Sequence, residues 1–572
     1  MSFFLKYLRP VKRDIASGLT VKFLASITEL MLPMILTYIL EVVILDGKVG
    51  RVVVFGVVMI LCALLSCFGH IIANRRAAVV SREFAEAMRR DLFDKTLMLS
   101  ACDADRFTIP SLESRITSDT YNVQNFIGMM LRMGVRAPIM LIGGLAISLV
   151  MDYRLALVML ATTPVIFVII LFVRYRGVPL YAKVQKSTDD MVRVVREDTQ
   201  GIRVIKALSK NEYENRRFSE VNAALSREER RAGMVMGIVN PVMTLLMNLG
   251  IAAVVALSAY LVSSEKSSAA TVIALMQYFT QISMAMMAIS RMFVGYSKCS
   301  ASAKRINEVL LTEERYTVDK SLSESNTDAY LEFKSVSFSY FGRQNNLEDI
   351  SFSLGKGQRL GIIGATGSGK STLIKLILRF YESDEGEIYI GGRNIKSYAR
   401  DELSSLFGVA QQNDFLYADT IEENIKFGRE IPTEQVRWAA RVAQADGFIS
   451  EGEGGYSRIL AQKGTNISGG QKQRILIARA IAARPKILIL DDSSSALDYK
   501  TDAELRAALA RELSESTVIT VAQRVSSVKS SDLILVLDEG RIIGKGTHEE
   551  LLVSCPEYKE ISDSQMGGAI ID

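Results

Sequence analysis

Cysteine is scarce and scattered in this chain. Cys62, Cys67, Cys102, Cys299 and Cys555 form no C-x-x-C pair and lie in no histidine-rich stretch, which excludes a zinc site and a disulfide framework and leaves free thiols. Histidine is scarcer still: only His70 and His548 occur in 572 residues. A strong charge of one sign is also missing, since 68 Lys and Arg oppose 63 Asp and Glu for a net charge of +5. That balance is small for the length, and the basic residues gather at the ends of apolar runs, a pattern of membrane topology rather than of nucleic-acid binding. The opening MSFFLKYLRPVKRD has no short apolar core followed by a small-residue cleavage site, so no removable signal peptide is predicted. Phe3, Phe4, Tyr7 and Leu8 among Lys6, Arg9 and Lys12 suit instead a short helix lying on the cytoplasmic membrane surface.

What is present divides the chain in two. Hydrophobic residues make up 49% and mean hydropathy is +0.19, yet 23% of residues are charged, a mixture of membrane and soluble parts. Six runs are long enough to cross a bilayer: 23–45, 52–73, 126–151, 155–173, 232–262 and 271–293. The connections alternate between short ones (DGKVGR, DYR, SSEKSS) and long, Arg- and Lys-rich ones over 74–125 and 174–231. Positive residues stay on the cytoplasmic side, so both termini and both long connections are predicted to lie inside, with the membrane helices continuing into the cytoplasm. Glu29, Arg132, Arg136, Asn240, Asn248, Gln277 and Gln281 are costly in lipid and should face the bundle interior or a water-filled cavity. Glu29, Asn240, Asn248, Gln277 and Gln281 are therefore candidates for a substrate pathway. Arg132 and Arg136, near a cytoplasmic end, suit interhelical bonding or snorkelling, and Glu29 needs a partner or a substrate cation. Methionines crowd the last two runs, a flexible lining that suits varied apolar substrates, although many must simply face lipid or neighbouring helices. Residues 1–311 thus form a membrane domain, 312–329 a polar linker, and 330–572 a soluble α/β domain.

The soluble half turns on RLGIIGATGSGKSTLIKLILRF, residues 359–380: a short apolar strand, a glycine loop, then a helical pattern. Backbone N–H groups of Gly364, Thr366, Gly367, Ser368 and Gly369 are placed to surround phosphate oxygens, Lys370 supplies a mobile cation, and Ser371 offers a hydroxyl to Mg²⁺. This chemistry requires a nucleoside triphosphate. Leu331, Phe333, Val336 and Phe338 alternate as a half-buried strand, with Ile350, Phe352 and Leu354 as its hairpin mate. Tyr340 could stack on an adenine ring, although an aromatic at a strand end usually belongs to the core. NISGGQKQR, residues 466–474, opens a helix, and KILILDDSSSALD, residues 486–498, reads as a buried parallel strand delivering acids at its C-terminal end. Asp491 is then placed to hold Mg²⁺ through water, opposite Ser371. Thr547 with Glu550 makes a capping box, so His548 in that turn reads as structural.

Taken together, the chain resembles an ABC exporter half-transporter over nearly its whole length. The family's phosphate loop matches residues 364–371, followed by Thr372; its Q-loop glutamine matches Gln412; and its signature matches Ile467, Ser468, Gly469, Gly470 and Gln471. Its Walker B aspartate matches Asp491, its D-loop Ser495, Ala496, Leu497 and Asp498, and its adenine-stacking aromatic Tyr340. Segments 112–120 and 201–207 resemble the exporters' cytoplasmic coupling regions. The resemblance implies six transmembrane helices followed by an α/β P-loop ATPase domain. It implies ATP and Mg²⁺ as ligands, with Ser371, Gln412 and Asp491 about the metal, and a multi-pass location in the cell membrane. Two positions depart from the pattern. Asp492 stands where the family has a catalytic glutamate, one methylene too short, and Gln523 stands where it has a switch histidine. In this family two nucleotide domains sandwich two ATP molecules, each held by the phosphate loop of one and the signature of the other. The resemblance therefore implies a heterodimer in which this chain binds ATP well and hydrolyses it poorly, while its intact ISGGQ acts on the partner's ATP. The expected function is ATP-driven export of amphipathic or hydrophobic small molecules. An ATP-gated channel, a regulatory ATP sensor, or a lipid or peptide exporter are the alternatives.

Overall fold

The computed structural model describes all residues except 1, 265–267, 314–315, 323, 325–326, 341, 343–344, 412–413, 494–495 and 567–572. The chain divides into two compact units, one of Met1–Met98 with Thr108–Thr312 and the other of Leu99–Phe107 with Glu313–Asp572.

The first unit is helical. After α1 (Ser2–Leu8) come α2 (Lys12–Tyr38) and α3 (Val49–Met98). At 50 residues α3 is about 75 Å long, far more than the roughly 30 Å of hydrocarbon a bilayer presents. Among the described residues five helical stretches are long and apolar enough to cross a membrane: Lys12–Val43, Val49–Met98, Ile109–Met151, Asn211–Ser263 and Ala269–Leu310. The fourth predicted run falls on a shorter apolar stretch, Tyr153–Ile169, which carries Pro164. Polar extensions of the helices are thus continuous with apolar spans, as the helical periodicity of the long connections predicts.

Two expectations need detail. The N-terminal helix α1 does not keep Phe4 or Tyr7 free for a membrane surface. Phe4 stacks on Phe84 of α3, and Tyr7 is buried, with its hydroxyl donating to Asp91 at 3.0 Å. The third run is not one helix either: α5 (Thr120–Met133) and α6 (Arg136–Met151) are separated at Gly134, whose close turn leaves a Cβ only 2.4 Å from the Met130 carbonyl oxygen.

The core of this unit lies where α6, α7 (Tyr153–Phe172), α10 (Val239–Ser263) and α11 (Ala269–Leu310) meet, around Leu155, Met159, Val254, Leu275 and Phe279. Met286 is buried there, and Met243, Met247 and Met276 pack against the same cluster. These methionines serve helix packing.

In the second unit, α4 (Ala101–Phe107) precedes the α/β domain in the chain and packs with it, the Tyr381 hydroxyl donating to Asp105. It is this segment that joins the second unit, whereas 112–120 and 201–207 group with the helical one. Two sheets form the domain. An antiparallel sheet has the order β2-β1-β4-β5, from β1 (Leu331–Phe338), β2 (Leu347–Leu354), β4 (Glu385–Ile390) and β5 (Arg393–Asn394). The expected hairpin is present, with Phe333 opposite Phe352 and Val336 opposite Ile350. The larger sheet has the order β10-β9-β3-β8-β7-β6 and is parallel from β9 to β6. Its strands are β3 (Arg359–Gly364), β6 (Phe407–Ala410), β7 (Ile487–Asp491), β8 (Thr517–Val521), β9 (Leu533–Asp538) and β10 (Arg541–Gly546). Every residue of β7 is buried, as its unbroken apolar run requires of a strand covered on both faces. β3, β7 and β8 end side by side, and their C-terminal ends make the site.

Candidate functional site

At the end of β3 the chain turns sharply into α12 (Lys370–Ile377). Two glycines make the turn possible. A Cβ on Gly364 would lie 2.1 Å from the Leu537 carbonyl oxygen, and Gly369, at φ +102°, would carry one 2.7 Å from the Leu347 side chain. Lys370 folds back over the loop, its Nζ donating to the carbonyls of Gly364 at 2.8 Å and Ala365 at 2.6 Å. The Gly540 N–H, donating to the Ser368 carbonyl at 3.2 Å, ties the loop to the β9–β10 turn.

Beside this loop is a cavity of about 190 Å³, lined by Thr366, Gly367, Gly369, Lys370, Ser371 and Thr372 from the loop, and by Asn346. Asp491, Asp492, Val521, Ala522 and Gln523 close the far side. The predicted phosphate-loop, Walker B and switch positions thus converge on one space. The Ser371 hydroxyl lies close enough to the Asp491 carboxylate to favour its ionised form. Burial pushes the Asp491 carboxyl above the usual carboxylate range, and the neighbouring Asp492 pushes it the same way, against the pull of Ser371 and Lys370. Burial likewise raises the Asp492 carboxyl and lowers the Lys370 ammonium. Asp492 has φ +47°, and its N–H donates to the Val521 carbonyl at 2.9 Å. The Gln523 carbonyl accepts from Gln565 Nε2 at 2.9 Å.

A serine hydroxyl and an aspartate carboxylate side by side at a phosphate loop are oxygen donors that suit Mg²⁺, which is held by one or two protein oxygens together with phosphate and water. Among the described residues no cluster of three or more His, Cys, Asp or Glu forms an all-protein metal cage. Gln412 lies outside the described residues, as does Ser495.

Tyr340 is built into the domain: its hydroxyl and that of Thr372 are 3.3 Å apart, Phe338 and Tyr381 meet its ring edge to face, and Lys375 lies 5.2 Å over the ring. Across the domain, α14 (Gly469–Ile481) opens with a capping box. Ser468 Oγ accepts from the Gln471 N–H at 3.3 Å, and Gln471 Oε1 accepts from the Ser468 N–H at 3.1 Å. A Cβ on Gly470 would lie 3.1 Å from the Ala496 carbonyl oxygen, and the Ala496 N–H donates to Gln473 Oε1 at 3.0 Å, so the signature turn is tied to the D-loop segment.

Sequence reasoning missed Arg479, which sits on α14 in the run of buried Ile475, Leu476, Ile477, Ala478, Ala480 and Ile481. It donates to the Asn424 carbonyl (2.7 Å), Asn424 Oδ1 (2.9 Å) and the Phe415 carbonyl (2.8 Å), binding the signature helix to the segment that follows Gln412. The available signal was a lone guanidinium within an apolar run, which must find acceptors.

In the helical unit Glu29 is fully engaged. Arg136 donates to both its oxygens, at 2.7 and 3.2 Å, and His70 Nε2 lies 2.9 Å from one. Asn248 and Gln277 are exposed, Gln281 is half-buried with an Oε1 that has no hydrogen-bond partner among the described residues, and Asn240 lies near the start of α10.

Residues 15–286 match the family model for the ABC transporter transmembrane region, and residues 347–495 match the one for the ABC transporter. Along its length the chain is 35% identical over 569 residues to the ABC transporter ATP-binding protein YfiB of Bacillus subtilis, with 98% of each chain covered. The chain belongs to the ABC transporters. A Mycobacterium tuberculosis ABC transporter ATP-binding protein is 32% identical over 580 residues, covering 99% of this chain and 98% of its own. In fold, this ABC transporter chain matches a bacterial Atm1-family ABC exporter with ATP bound, with a TM-score of 0.80 at 24% identity over 96% of this chain and 98% of that one. It is therefore a membrane protein that carries its transmembrane region and its ATP-binding ATPase domain in one polypeptide.

Proposed function

We propose that this chain is one subunit of an exporter that moves amphipathic or hydrophobic small molecules out across the cell membrane, with both termini cytoplasmic. Its own site holds ATP and cleaves it slowly, and its companion is a second, different half-transporter. The observation that carries this reading is Asp492. Its carboxylate reaches the nucleotide cavity on a side chain one carbon shorter than a glutamate, about 1.5 Å. The backbone cannot advance to make up the difference without breaking the 2.9 Å bond from the Asp492 N–H to Val521. A misplacement near 1 Å costs roughly 100-fold in rate. Gln523, on the same cavity, donates a hydrogen bond to a γ-phosphate but does not titrate near neutral pH as imidazole does.

In this scheme Lys370 exchanges the carbonyls of Gly364 and Ala365 for phosphate oxygens. Ser371, Asp491 and Gln412 hold Mg²⁺, which neutralises phosphate charge, and Gly364, Thr366, Gly367, Ser368, Gly369 and Thr372 surround the phosphates. Tyr340 flanks the base with its packed ring. The capped turn of Ser468, Gly469, Gly470 and Gln471 presents a hydroxyl and helix N-terminal amides to ATP bound on the companion. ATP binding draws the two nucleotide domains together and turns the membrane helices outward; hydrolysis at the companion's site resets them.

Single-turnover ATP cleavage in the assembled pair tests this. D492E with Q523H should speed cleavage at this chain's site by roughly 10- to 100-fold. Unchanged turnover, together with a dispensable acid on the companion, would refute the asymmetry.

A further inference from the structure

Charges are unevenly matched among α2, α3, the end of α5 and the start of α6 in the helical unit. Lys22 of α2 is 3% exposed, and its ammonium donates to a neutral group, Asn74 Oδ1, at 3.0 Å. The charges that act on it are those of Arg136, Glu29 and Arg132. Of these only Glu29 is negative, and its carboxylate is already shared between Arg136 and His70. Arg132 folds back beside Gly128 and Ser81 and makes no hydrogen bond or ion pair with any described residue. The cluster therefore sets three basic residues, two of them arginines whose charge is permanent, against one carboxylate. His70 adds a buried Nδ1 that has no hydrogen-bond partner among the described residues. An ammonium enclosed among transmembrane helices without a counter-charge is strongly disfavoured, so such residues pair or serve a ligand.

We propose that Lys22, Arg132 and Arg136 form a binding site for a phosphate group, supplied by an anionic lipid headgroup or by a water-soluble phosphate. The chemistry fits: Arg132 has free guanidinium donors for phosphate oxygens, Lys22 has two further N–H donors beyond Asn74, and basic pockets between membrane helices recognise anionic headgroups in this way. Glu29 with His70 sets the orientation of Arg136 and keeps the cluster from collapsing onto its own carboxylate.

The test uses the full chain, purified in detergent and stripped of lipid, titrated with dioctanoyl phosphatidylglycerol, dioctanoyl phosphatidylcholine and inorganic phosphate while melting is followed. Phosphatidylglycerol should raise the melting temperature where phosphatidylcholine does not, and K22Q and R132Q should each weaken that binding about fivefold. Protection by inorganic phosphate at similar concentrations identifies a soluble phosphate as the source; protection by phosphatidylglycerol alone identifies the headgroup. Without ligand, K22Q should melt no lower than the unsubstituted chain, because it removes an unmatched buried charge. Equal protection by both lipids, no protection by either phosphate source, or titrations unaltered in both K22Q and R132Q would overturn the proposal.

Discussion

Glu29 in the helical unit and Asp491 in the nucleotide unit are both largely enclosed carboxylates on regular elements, and their surroundings are opposite. Glu29 accepts two bonds from Arg136 and a third contact from His70, both on helices that follow its own in sequence. Asp491 has the hydroxyl of Ser371 and the less direct pull of Lys370, with a second carboxylate beside it. A carboxylate saturated by protein donors holds helices together. One left short of positive charge at the end of a buried strand is ready for a cation, and its raised protonation tendency records that readiness.

The largest effect should come from the site that is kept in reserve. D491N removes an oxygen anion from the proposed metal site, so Mg²⁺-dependent ATP affinity, measured by titration with and without Mg²⁺, should fall about 100-fold. Stability of the nucleotide-free chain should move the other way. The carboxyl titrates higher in the fold than in the unfolded chain, so ionisation opposes folding above the raised value, and that opposition fades as pH falls through it. D491N should therefore melt higher than the unsubstituted chain near neutral pH, with the difference closing toward acid.

The saturated carboxylate should behave in the opposite sense. E29Q keeps the shape but leaves the guanidinium of Arg136 without its anion, which should cost about 3 kcal/mol and lower the melting temperature of the membrane unit at neutral pH. Unaltered melting would mean that Glu29 and Arg136 are free to engage something else.

The same contrast explains what could be read in advance. The phosphate loop was legible because its glycines encode a backbone shape over a few residues, and Gly364 and Gly369 do stand where a Cβ would strike a neighbour. β7 was legible because four buried apolar positions in a row, ending in Asp491, allow little else. The partners of Glu29 were not legible: His70 and Arg136 lie 41 and 107 residues away, and no local pattern links them. Arg479 and Asn424, 55 residues apart, were missed for the same reason. With α1 the pattern itself was ambiguous. Mixed aromatic and basic residues suit a membrane surface or a neighbouring helix, and Phe4 and Tyr7 take Phe84 and Asp91 of α3 as partners.

The signature turn supplies the smallest and most local test, because Ser468 carries a structural and a proposed functional duty at once. As the N-cap of α14 it accepts from the Gln471 N–H, while Gln471 returns a bond to its own N–H. Replacing Ser468 with alanine removes one of these, at about 1 kcal/mol. Replacing it with aspartate keeps a capping acceptor but sets a negative charge where a γ-phosphate is expected. S468A should thus melt slightly lower, while S468D retains stability and blocks ATP cleavage at the companion's site. If S468D lost stability as S468A does and left cleavage intact, the turn would be a helix cap and nothing more. The opposite result separates the two duties of one hydroxyl, and does so in the unit where local pattern carries the chemistry.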